Sequence, residues 1–276
     1  LKIIEKNIPK ILHPLKCRLQ ILYSAICASD IPRAFDNMAY AYPLVMGHEF
    51  VGRIIQLGKS VTKFNKNDTV SVYPLIPQCI HNNKKNKCEN CNNKNYNLCN
   101  NYSYYGSRTD GSFCEILDVY AWNLYKMNKK ISYNICSLIE PTAVVFNILD
   151  KFPNILSKKN RVLLIGSGFI GQILARILKK KNSKINLTTL DRNSFKLEKI
   201  KKYSNDQLLF KNKNTREDQY ILSSLCNKFD VVIESSGNYK NFISSLSFVK
   251  KNGVVIFSGN PNNDIKLSRD QISSVL

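Results

Sequence analysis

Three cysteines stand close together in the segment KCENCNNKNYNLC. Two residues separate Cys88 from Cys91, and seven more separate Cys91 from Cys99. Tetrahedral zinc requires four donors, and clustered cysteines at such spacings are typical of zinc sites. The sequence leaves three alternatives for the fourth position, which are Cys79, His81, or a site that has lost its fourth ligand.

Two other residues have the chemistry of a second metal site. Cys27 in ICASD and His48 in GHEF stand 21 residues apart, and His48 is one of only 3 histidines in the chain. Zinc accepts a thiolate together with an imidazole, and a carboxylate and a water then complete the tetrahedron. These two residues are therefore candidate ligands of a catalytic metal.

A third set of residues has the pattern of a dinucleotide site. The segment GSGFIG is a G-x-G-x-x-G that directly follows the apolar run RVLLIG and opens the amphipathic segment GFIGQILARILKKK, which is the strand-and-helix context the motif requires. Asp191 stands 20 residues after the last glycine and favours NAD over NADP by accepting ribose hydroxyls, although the adjacent Arg192 weakens this preference. The candidate cofactor-binding residues are Gly166, Gly168, Phe169, Ile170, Gly171, Asp191 and Arg192.

The two halves of the sequence differ in the elements that they predict. Residues 1–125 contain short strand-like runs, separated by turns rich in Gly, Pro and Asn: CRLQILYSAI, FVGRIIQLG, DTVSVYPLI and SFCEILDVYAW. Residues 137–150 read as a helix. From RVLLIG onward, strands alternate with helices, which indicates a parallel doubly wound sheet. We therefore expect an α/β plus β fold, with a β domain over residues 1–152 and an α/β domain over residues 153–276.

Composition indicates a globular protein. Of the 276 residues 43% are hydrophobic, and no apolar run approaches the roughly 20 residues that cross a bilayer. The net charge of +21 comes from 32 Lys against 9 Arg, spread along a chain that also has 33 Asn. This spread favours the compositional drift of an AT-rich genome over a clustered, Arg-rich nucleic-acid surface. Cysteines at metal spacings favour a reducing cytoplasm over disulfides, and the start LKIIEKNIPK lacks a signal-peptide pattern.

Six segments together resemble one protein family. ICASDIPRAF, YPLVMGHEFVG, the cysteine cluster, YGSRTDGSFCEIL, LIEP and IGSGFIG occur in the order found in zinc-dependent medium-chain dehydrogenases/reductases, and are most similar to the polyol dehydrogenase branch. The resemblance implies a GroES-like β-barrel catalytic domain with a structural-zinc lobe over residues 79–99, followed by a Rossmann NAD-binding domain. It also implies two zinc ions per chain, NAD as cofactor, a small polyol or polyol phosphate as substrate, and a homodimer or homotetramer at full length. The lack of an apolar spanning run and the even spread of the lysines argue against membrane and nucleic-acid partners.

The resemblance also assigns roles to individual residues. The implied zinc ligands are Cys27, His48 and Glu140 at the catalytic ion, and Cys79, Cys88, Cys91 and Cys99 at the structural ion. Glu140, in LIEP, would bind directly or through water, and Glu49 would modulate the coordination. Ser29 would take the alcohol proton, and Asp30 would orient His48 by accepting its second ring N–H. Zinc would act as a Lewis acid on the substrate hydroxyl while hydride passes to the nicotinamide.

Two features depart from the family pattern. The family has a cysteine three residues before Cys88, where this chain has Lys85. An insertion of about six residues would give Cys79 that role, and a loop absorbs such an insertion at little entropic cost. The family also continues well beyond ISSVL, so we expect a Rossmann domain that is incomplete at its C-terminus, as in a fragment or an eroding gene product.

The sequence leaves the substrate and the functional class open. Sorbitol and threonine dehydrogenases share the metal motifs, and Arg33 and Arg108 are candidates for binding a substrate phosphate. A remnant that binds zinc or nucleotide without turnover, and a nucleic-acid binder with a zinc lobe, are alternatives from other classes. Two zinc ions per chain would distinguish the dehydrogenase from the nucleic-acid binder, which needs one.

Overall fold

The structure is a computed structural model that describes residues 1–10, 12–81, 87–156, 160–211, 215–261, 263–269 and 271. It divides into two compact units, Leu1–Pro141 (unit 1) and Thr142–Leu276 (unit 2). The expected domain boundary after residue 152 stays a prediction. Most of the insertion expected before Cys88, at residues 82–86, lies outside the described residues, as do the last five residues of the chain.

Unit 1 is built on antiparallel strands. They are β1 (Lys16–Ala25), β2 (Glu49–Leu57), β3 (Thr69–Val72), β4 (Leu75–Pro77), β5 (Tyr102–Tyr104), β6 (Ile116–Tyr120) and β7 (Leu124–Lys126). Five of them form one sheet in the order β6-β1-β2-β3-β7. The expected run DTVSVYPLI is divided between β3 and β4 at Tyr73 and Pro74, because proline has no N–H to donate to a sheet. Side chains of this sheet form one apolar core together with Phe64 of the loop between β2 and β3, and the sheet residues in it include Cys17, Leu19, Phe50, Ile54, Val70, Val119 and Leu124.

Short helices connect these strands. They are α1 (Asp30–Phe35), α2 (Gln78–His81), α3 (Glu89–Asn92) and α4 (Tyr133–Cys136), with 3₁₀ turns at Tyr96–Leu98 and Ala121–Asn123. Strands β4 and β5 pair as a separate two-stranded sheet. The chain between them, residues 78–101, contains α2, α3 and the first 3₁₀ turn, so the paired strands hold together the two ends of the lobe.

Unit 2 alternates strands and helices. Helix α5 (Ile139–Lys151) contains the division between the units, and 3₁₀ turns lie at Pro153–Leu156 and Lys201–Tyr203. The other helices are α6 (Phe169–Lys181), α7 (Ser194–Ile200), α8 (Arg216–Leu225) and α9 (Tyr239–Phe248). The strands are β8 (Arg161–Ile165), β9 (Asn186–Asp191), β10 (Asp206–Leu209), β11 (Phe229–Glu234) and β12 (Val249–Phe257). They form a parallel sheet in the order β10-β9-β8-β11-β12.

The first strand of unit 2 shows why this sheet is covered on both faces. Val162 and Leu164 pack into one apolar cluster, while Leu163 and Ile165 pack into another. Successive side chains of a strand point to opposite faces, so a fully apolar strand belongs in the middle of a two-sided sheet. The strand order reverses between β8 and β11, and doubly wound sheets bind ligands at the carboxyl ends of the strands at such a point.

The predicted architecture of a β domain followed by a doubly wound α/β domain is confirmed. Two elements of unit 2 were not expected from the sequence, namely strand β10 and helix α8. Strand β10 has four residues, none of them fully buried, so its apolar signal is weak. Helix α8 begins with a capping box between Thr215 and Asp218, a local signal that identifies a helix start. Among the described residues, no helix is long and apolar enough to cross a membrane.

Candidate functional site

Sheet register brings the first group of candidate ligands together. Cys27 lies two residues beyond β1, and His48 immediately precedes β2. Strands β1 and β2 pair antiparallel with Ala25 opposite Glu49, so the two loops meet at one end of the sheet. Ligand atoms of Cys27, His48 and Glu49 all lie within 4.8 Å of one another. His48 and Glu49 are buried and Cys27 is partly buried.

The electrostatics of this cluster suit a cation. Burial raises the pKa of Cys27, an effect that the Ser29 hydroxyl partly offsets, and burial also raises the pKa of Glu49. Burial lowers the pKa of His48, which keeps its imidazole neutral and able to bind a metal. Donors around tetrahedral zinc lie about 3.3–3.8 Å apart, which the observed separations admit. The thiol of Cys27, the imidazole of His48 and the carboxylate of Glu49 are therefore a donor set that fits zinc.

The buried carboxylate of Asp30 contacts both Cys27 and His48. Its Oδ2 accepts the Cys27 N–H at 3.0 Å, and its Oδ1 lies 3.5 Å from His48 Nδ1. His48 Nδ1 makes no hydrogen bond within the described residues, so the contact is close without being a formed bond. With Nδ1 facing Asp30, Nε2 is the nitrogen left for a metal. The orienting role of Asp30 stays a prediction that this geometry supports.

Ser29 is held by an arginine. Arg33 Nη1 donates to Ser29 Oγ at 2.9 Å, and it lies 3.4 Å from Asp30 Oδ1. Since Ser29 precedes α1 and Arg33 lies in it, one helical turn brings the two side chains together. Ser29 is partly buried and lies beside Cys27, and its role as acceptor of the alcohol proton stays a prediction.

Glu140 lies outside the group of three donors. Its Oε1 accepts a hydrogen bond from Tyr104 Oη at 3.1 Å, and the Tyr104 ring lies edge-on to His48 with centroids 5.9 Å apart. Burial, with a further contribution from the Glu49 charge, raises the pKa of Glu140 to about 7. Glu49, expected only to modulate the coordination, is thus the carboxylate grouped with Cys27 and His48. Ligation by Glu140 stays a prediction.

Tyr104 was missed by sequence reasoning. It lies at the end of β5, one residue before the family segment YGSRTDGSFCEIL. Burial and the neighbouring Glu140 carboxylate raise the pKa of Tyr104, so its hydroxyl remains a donor. No spacing in the sequence links it to Glu140, because the contact joins residues 36 positions apart.

The lobe gathers four cysteines. The sulfur atoms of Cys79, Cys88, Cys91 and Cys99 all lie within 4.8 Å of one another. Four thiolates form the closed donor set of a structural zinc site. The N–H groups of Asn100 and Cys91 lower the pKa of Cys88 to about 6, and N–H bonds of this kind support a metal-bound thiolate. The donor set therefore fits zinc, with Cys79 at the fourth position.

His81, the competing fourth donor, lies outside the cysteine cluster. Its ring stacks on Tyr120 with centroids 3.9 Å apart and lies edge-on to Trp122 at 5.8 Å. Burial lowers the pKa of His81 to about 4, so it packs as a neutral aromatic ring.

The glycine turn of unit 2 leaves room for a ligand at one position and is tightly packed at another. A Cβ on Gly171 would lie 2.1 Å from the Gly166 carbonyl oxygen, so only glycine allows α6 to pack this closely. A Cβ on Gly168 would meet nothing within 4 Å, which leaves open space at the N-terminus of α6 where a pyrophosphate would approach. Asp191 Oδ2 accepts the Ser167 N–H at 2.6 Å and ties the turn to the end of β9. These features fit a dinucleotide.

The remaining candidate cofactor residues differ in exposure. Phe169 begins α6 and is 45% exposed, whereas Ile170 packs against the apolar cluster of the sheet. Arg192 is exposed, and Asp191 Oδ1 accepts the Asn193 N–H at 2.8 Å. Their binding roles stay predictions.

Glu234 is a buried carboxylate that sequence reasoning also missed. It ends β11 and is fully buried, and it accepts the N–H groups of Ser236 and Gly237 at 2.8 and 3.3 Å. A Cβ on Gly166 would lie 2.8 Å from Ser236 N, so Glu234 fixes the loop that packs on the glycine turn. Its only sequence signal is an acidic residue at the end of the apolar run FDVVIE.

Comparison with protein families finds matches over most of the chain. Residues 13–129 match an alcohol dehydrogenase GroES-like domain, and residues 170–274 match a zinc-binding dehydrogenase domain. The two matched segments follow the order of unit 1 and unit 2.

Individual relatives point the same way. Galactitol 1-phosphate 5-dehydrogenase of Escherichia coli is 33% identical over 205 residues, which are 73% of this chain and 56% of that enzyme. L-Threonine 3-dehydrogenase of Vibrio parahaemolyticus is 27% identical over 264 residues, which are 92% of this chain and 72% of the other. The crystal structure of galactitol-1-phosphate dehydrogenase from E. coli superimposes with a TM-score of 0.84 at 26% identity, covering 99% of this chain and 76% of that one. The chain thus spans little more than half the length of the first relative.

Proposed function

Because the chain belongs to the zinc-dependent medium-chain dehydrogenase/reductase family, we propose that it oxidises a secondary alcohol of a polyol or polyol phosphate with NAD. The product would be a keto sugar or its phosphate, as for galactitol 1-phosphate. The observation that carries this proposal is the convergence of Cys27, His48 and Glu49 at one end of the β1–β2 pair.

Two groups absent from the chain itself are needed for this reaction. When bound, zinc polarises the substrate hydroxyl and NAD is the hydride acceptor. Cys27 and His48 would hold the metal together with a carboxylate: Glu49 is grouped with them, and Glu140, the ligand predicted from the sequence, accepts a hydrogen bond from Tyr104. The glycine turn would hold the pyrophosphate, and Asp191 the adenosine ribose.

The side chains around the metal donors have distinct tasks. Ser29 Oγ would accept the proton of the substrate hydroxyl while passing its own proton outward, and the hydrogen bond that it accepts from Arg33 holds this oxygen in place. Asp30 fixes the loop that carries Cys27 by accepting its N–H, and it faces His48. Glu140, which is predicted to bind the metal directly or through water, is partly buried and accepts a hydrogen bond from Tyr104 Oη.

A member of the same family with another substrate is the second candidate. The chain is also similar to a sorbitol dehydrogenase and to a threonine dehydrogenase, and the latter match covers 92% of this chain. A remnant without turnover is the third candidate. A substrate panel and a metal count separate the three.

The decisive experiment uses the full-length gene product loaded with zinc. NADH formation is followed by absorbance with galactitol 1-phosphate, galactitol, sorbitol and threonine, each with NAD and NADP. We expect turnover of galactitol 1-phosphate with NAD, and one zinc ion for each of the two donor clusters. Turnover of threonine alone would replace the substrate assignment, and no turnover by a fully metal-loaded protein would refute the enzyme proposal.

Two properties of the whole protein complete the proposal. The full-length protein forms a homodimer or homotetramer, which size-exclusion chromatography with light scattering would measure. It resides in the cytoplasm, as supported by nine cysteines that are all free thiols.

A further inference from the structure

Arg33 places a guanidinium next to the metal donors of unit 1. Its Nη1 donates to Ser29 Oγ, and Ser29 lies beside the Cys27 sulfur. Its charge helps to lower the pKa of His48, which confirms how near it is to the cluster. Arg33 is therefore positioned to reach any molecule that is bound at Cys27 and His48.

Most hydrogen-bonding capacity of Arg33 is unused. A guanidinium has five N–H donors, and in the described residues Nη1 alone has protein partners. The 3.4 Å contact with Asp30 is longer than a bidentate ion pair, whose two N–H bonds lie near 2.8 Å. Asp30 is also engaged by the Cys27 N–H and faces His48. Nε and Nη2 thus form a free fork on a side chain that is 16% exposed.

Two other arginines of unit 1, Arg18 and Arg108, have partners elsewhere. Arg18 binds Asp118 through two nitrogens and Gln56 through the third. Arg108 is exposed, lies over the rings of Tyr40 and Tyr102 at 4.1 and 4.7 Å, and donates to the Tyr102 hydroxyl. The Arg108 guanidinium is therefore held by contacts with these two tyrosine rings.

We infer, resting on the proposed function, that Arg33 binds the phosphate of a polyol phosphate through Nε and Nη2 and so selects phosphorylated substrates. A planar fork matches two phosphate oxygens, and a partly buried cation without a full partner is stabilised by an anion. Nη1 keeps its bond to Ser29 while the fork holds the phosphate. One residue thereby sets the distance between the phosphate and the hydroxyl that loses its proton.

The test compares phosphorylated and unphosphorylated substrates. Full-length wild-type protein, Arg33→Gln, Arg33→Lys and the matched control Arg53→Gln are assayed for kcat/KM with galactitol 1-phosphate and with galactitol. Arg53 is a suitable control because its one side-chain bond is to the Tyr133 hydroxyl, away from the donor cluster. We expect Arg33→Gln to lower the ratio of the two kcat/KM values by about 10- to 100-fold. Arg33→Lys should restore part of this ratio, and Arg53→Gln should leave it unchanged.

A binding measurement makes the result independent of turnover. Calorimetric titration of the zinc-loaded proteins with galactitol 1-phosphate should give weaker binding for Arg33→Gln, and titration with galactitol should give similar binding for both. Equal losses with both substrates would mean that Arg33 acts through Ser29 alone and would overturn the inference. Arg108→Gln is assayed in the same way, and a loss of kcat/KM for galactitol 1-phosphate alone in this variant would assign the phosphate site to Arg108 instead. If wild-type protein turns over no alcohol, the proposed function fails, and the titration alone then decides the role of Arg33.

Discussion

Replacing Gly171 with Ala tests whether the glycine turn of unit 2 is packed tightly enough to hold a dinucleotide. The new methyl carbon would lie 2.1 Å from the Gly166 carbonyl oxygen and 3.1 Å from its carbonyl carbon. Carbon atoms essentially never approach a backbone oxygen closer than 3.0 Å, so the turn or helix α6 must move by about 1 Å. Backbone lies on both sides of this contact, so no side chain can rotate away to relieve it.

The expected cost follows from two opposing terms. Overpacking a close contact costs about 1–3 kcal/mol, while Ala in a helix is favoured over Gly by about 1 kcal/mol. We therefore expect a net loss of about 1 kcal/mol and a fall in Tm of about 2–4 °C. The effect on NADH is larger, because a shift of the turn weakens charge-assisted N–H bonds to the pyrophosphate, each about 1.5–3 kcal/mol. The dissociation constant for NADH should rise at least about tenfold.

Gly168→Ala is the matched control, because it adds a methyl group at the cofactor site without disturbing the packing of α6. A methyl there meets nothing within 4 Å, and the extended backbone of Gly168 suits any residue. Stability should change by less than about 1 kcal/mol, while the methyl fills the space where the pyrophosphate would lie. Thermal unfolding and NADH fluorescence titration of the full-length proteins measure both effects. Wild-type NADH affinity in Gly168→Ala would show that the pyrophosphate lies elsewhere, and an unchanged Tm and affinity in Gly171→Ala would refute the packing argument.

Three further predictions concern unit 1. Cys27→Ser should abolish turnover and lose one of two zinc ions with little change in Tm, as measured by metal analysis and thermal unfolding; a large loss of Tm would mean that the first cluster is structural. Cys79→Ser should lose the lobe's zinc and lower Tm, whereas His81→Gln should keep the zinc; the reverse result would make His81 the fourth ligand. Asp68 has a lowered pKa because Lys126 donates to it, so its stabilisation is present above the unfolded pKa near 3.8 and is lost as the pH falls through the folded pKa. Asp68→Asn should therefore lower the free energy of unfolding by about 1 kcal/mol at neutral pH and by much less at pH 3, and a pH-independent loss in denaturant titrations would refute this reasoning.

The architecture of unit 2 was predictable because its signals are local. The run RVLLIG is apolar at every position, which is what a strand covered on both faces requires, and it becomes the central β8. The segment GFIGQILARILKKK shows helical periodicity and becomes α6. The capping box at Thr215 and the apolar residues Ile221, Leu222 and Leu225 were available in the sequence, but the segment is polar on average, and α8 was therefore missed.

The metal site was predictable in part. Cys27 and His48 were identified by residue type and by family order, and the register of β1 with β2 explains how they meet. The sequence did not predict that Glu49, rather than Glu140, would be grouped with Cys27 and His48. Glu49 lies among the donors because it opens β2 next to His48, while the position of Glu140 depends on its bond to Tyr104, a contact between elements distant in sequence. Sequence spacing carries no signal for such a contact.

Residues 27–33 show how a short segment combines several tasks. Cys27 is a candidate metal donor, and Asp30 at the start of α1 accepts its N–H, so the loop is tied to the helix. One turn later, Arg33 reaches back to Ser29, so the proposed proton acceptor lies just before α1 and the proposed phosphate ligand lies within it. A shift of α1 would therefore change metal geometry, proton transfer and substrate selection together. If Arg33 binds the phosphate as inferred, phosphate binding stabilises the orientation of the Ser29 hydroxyl. Phosphorylated substrates then have a higher kcat as well as a lower KM.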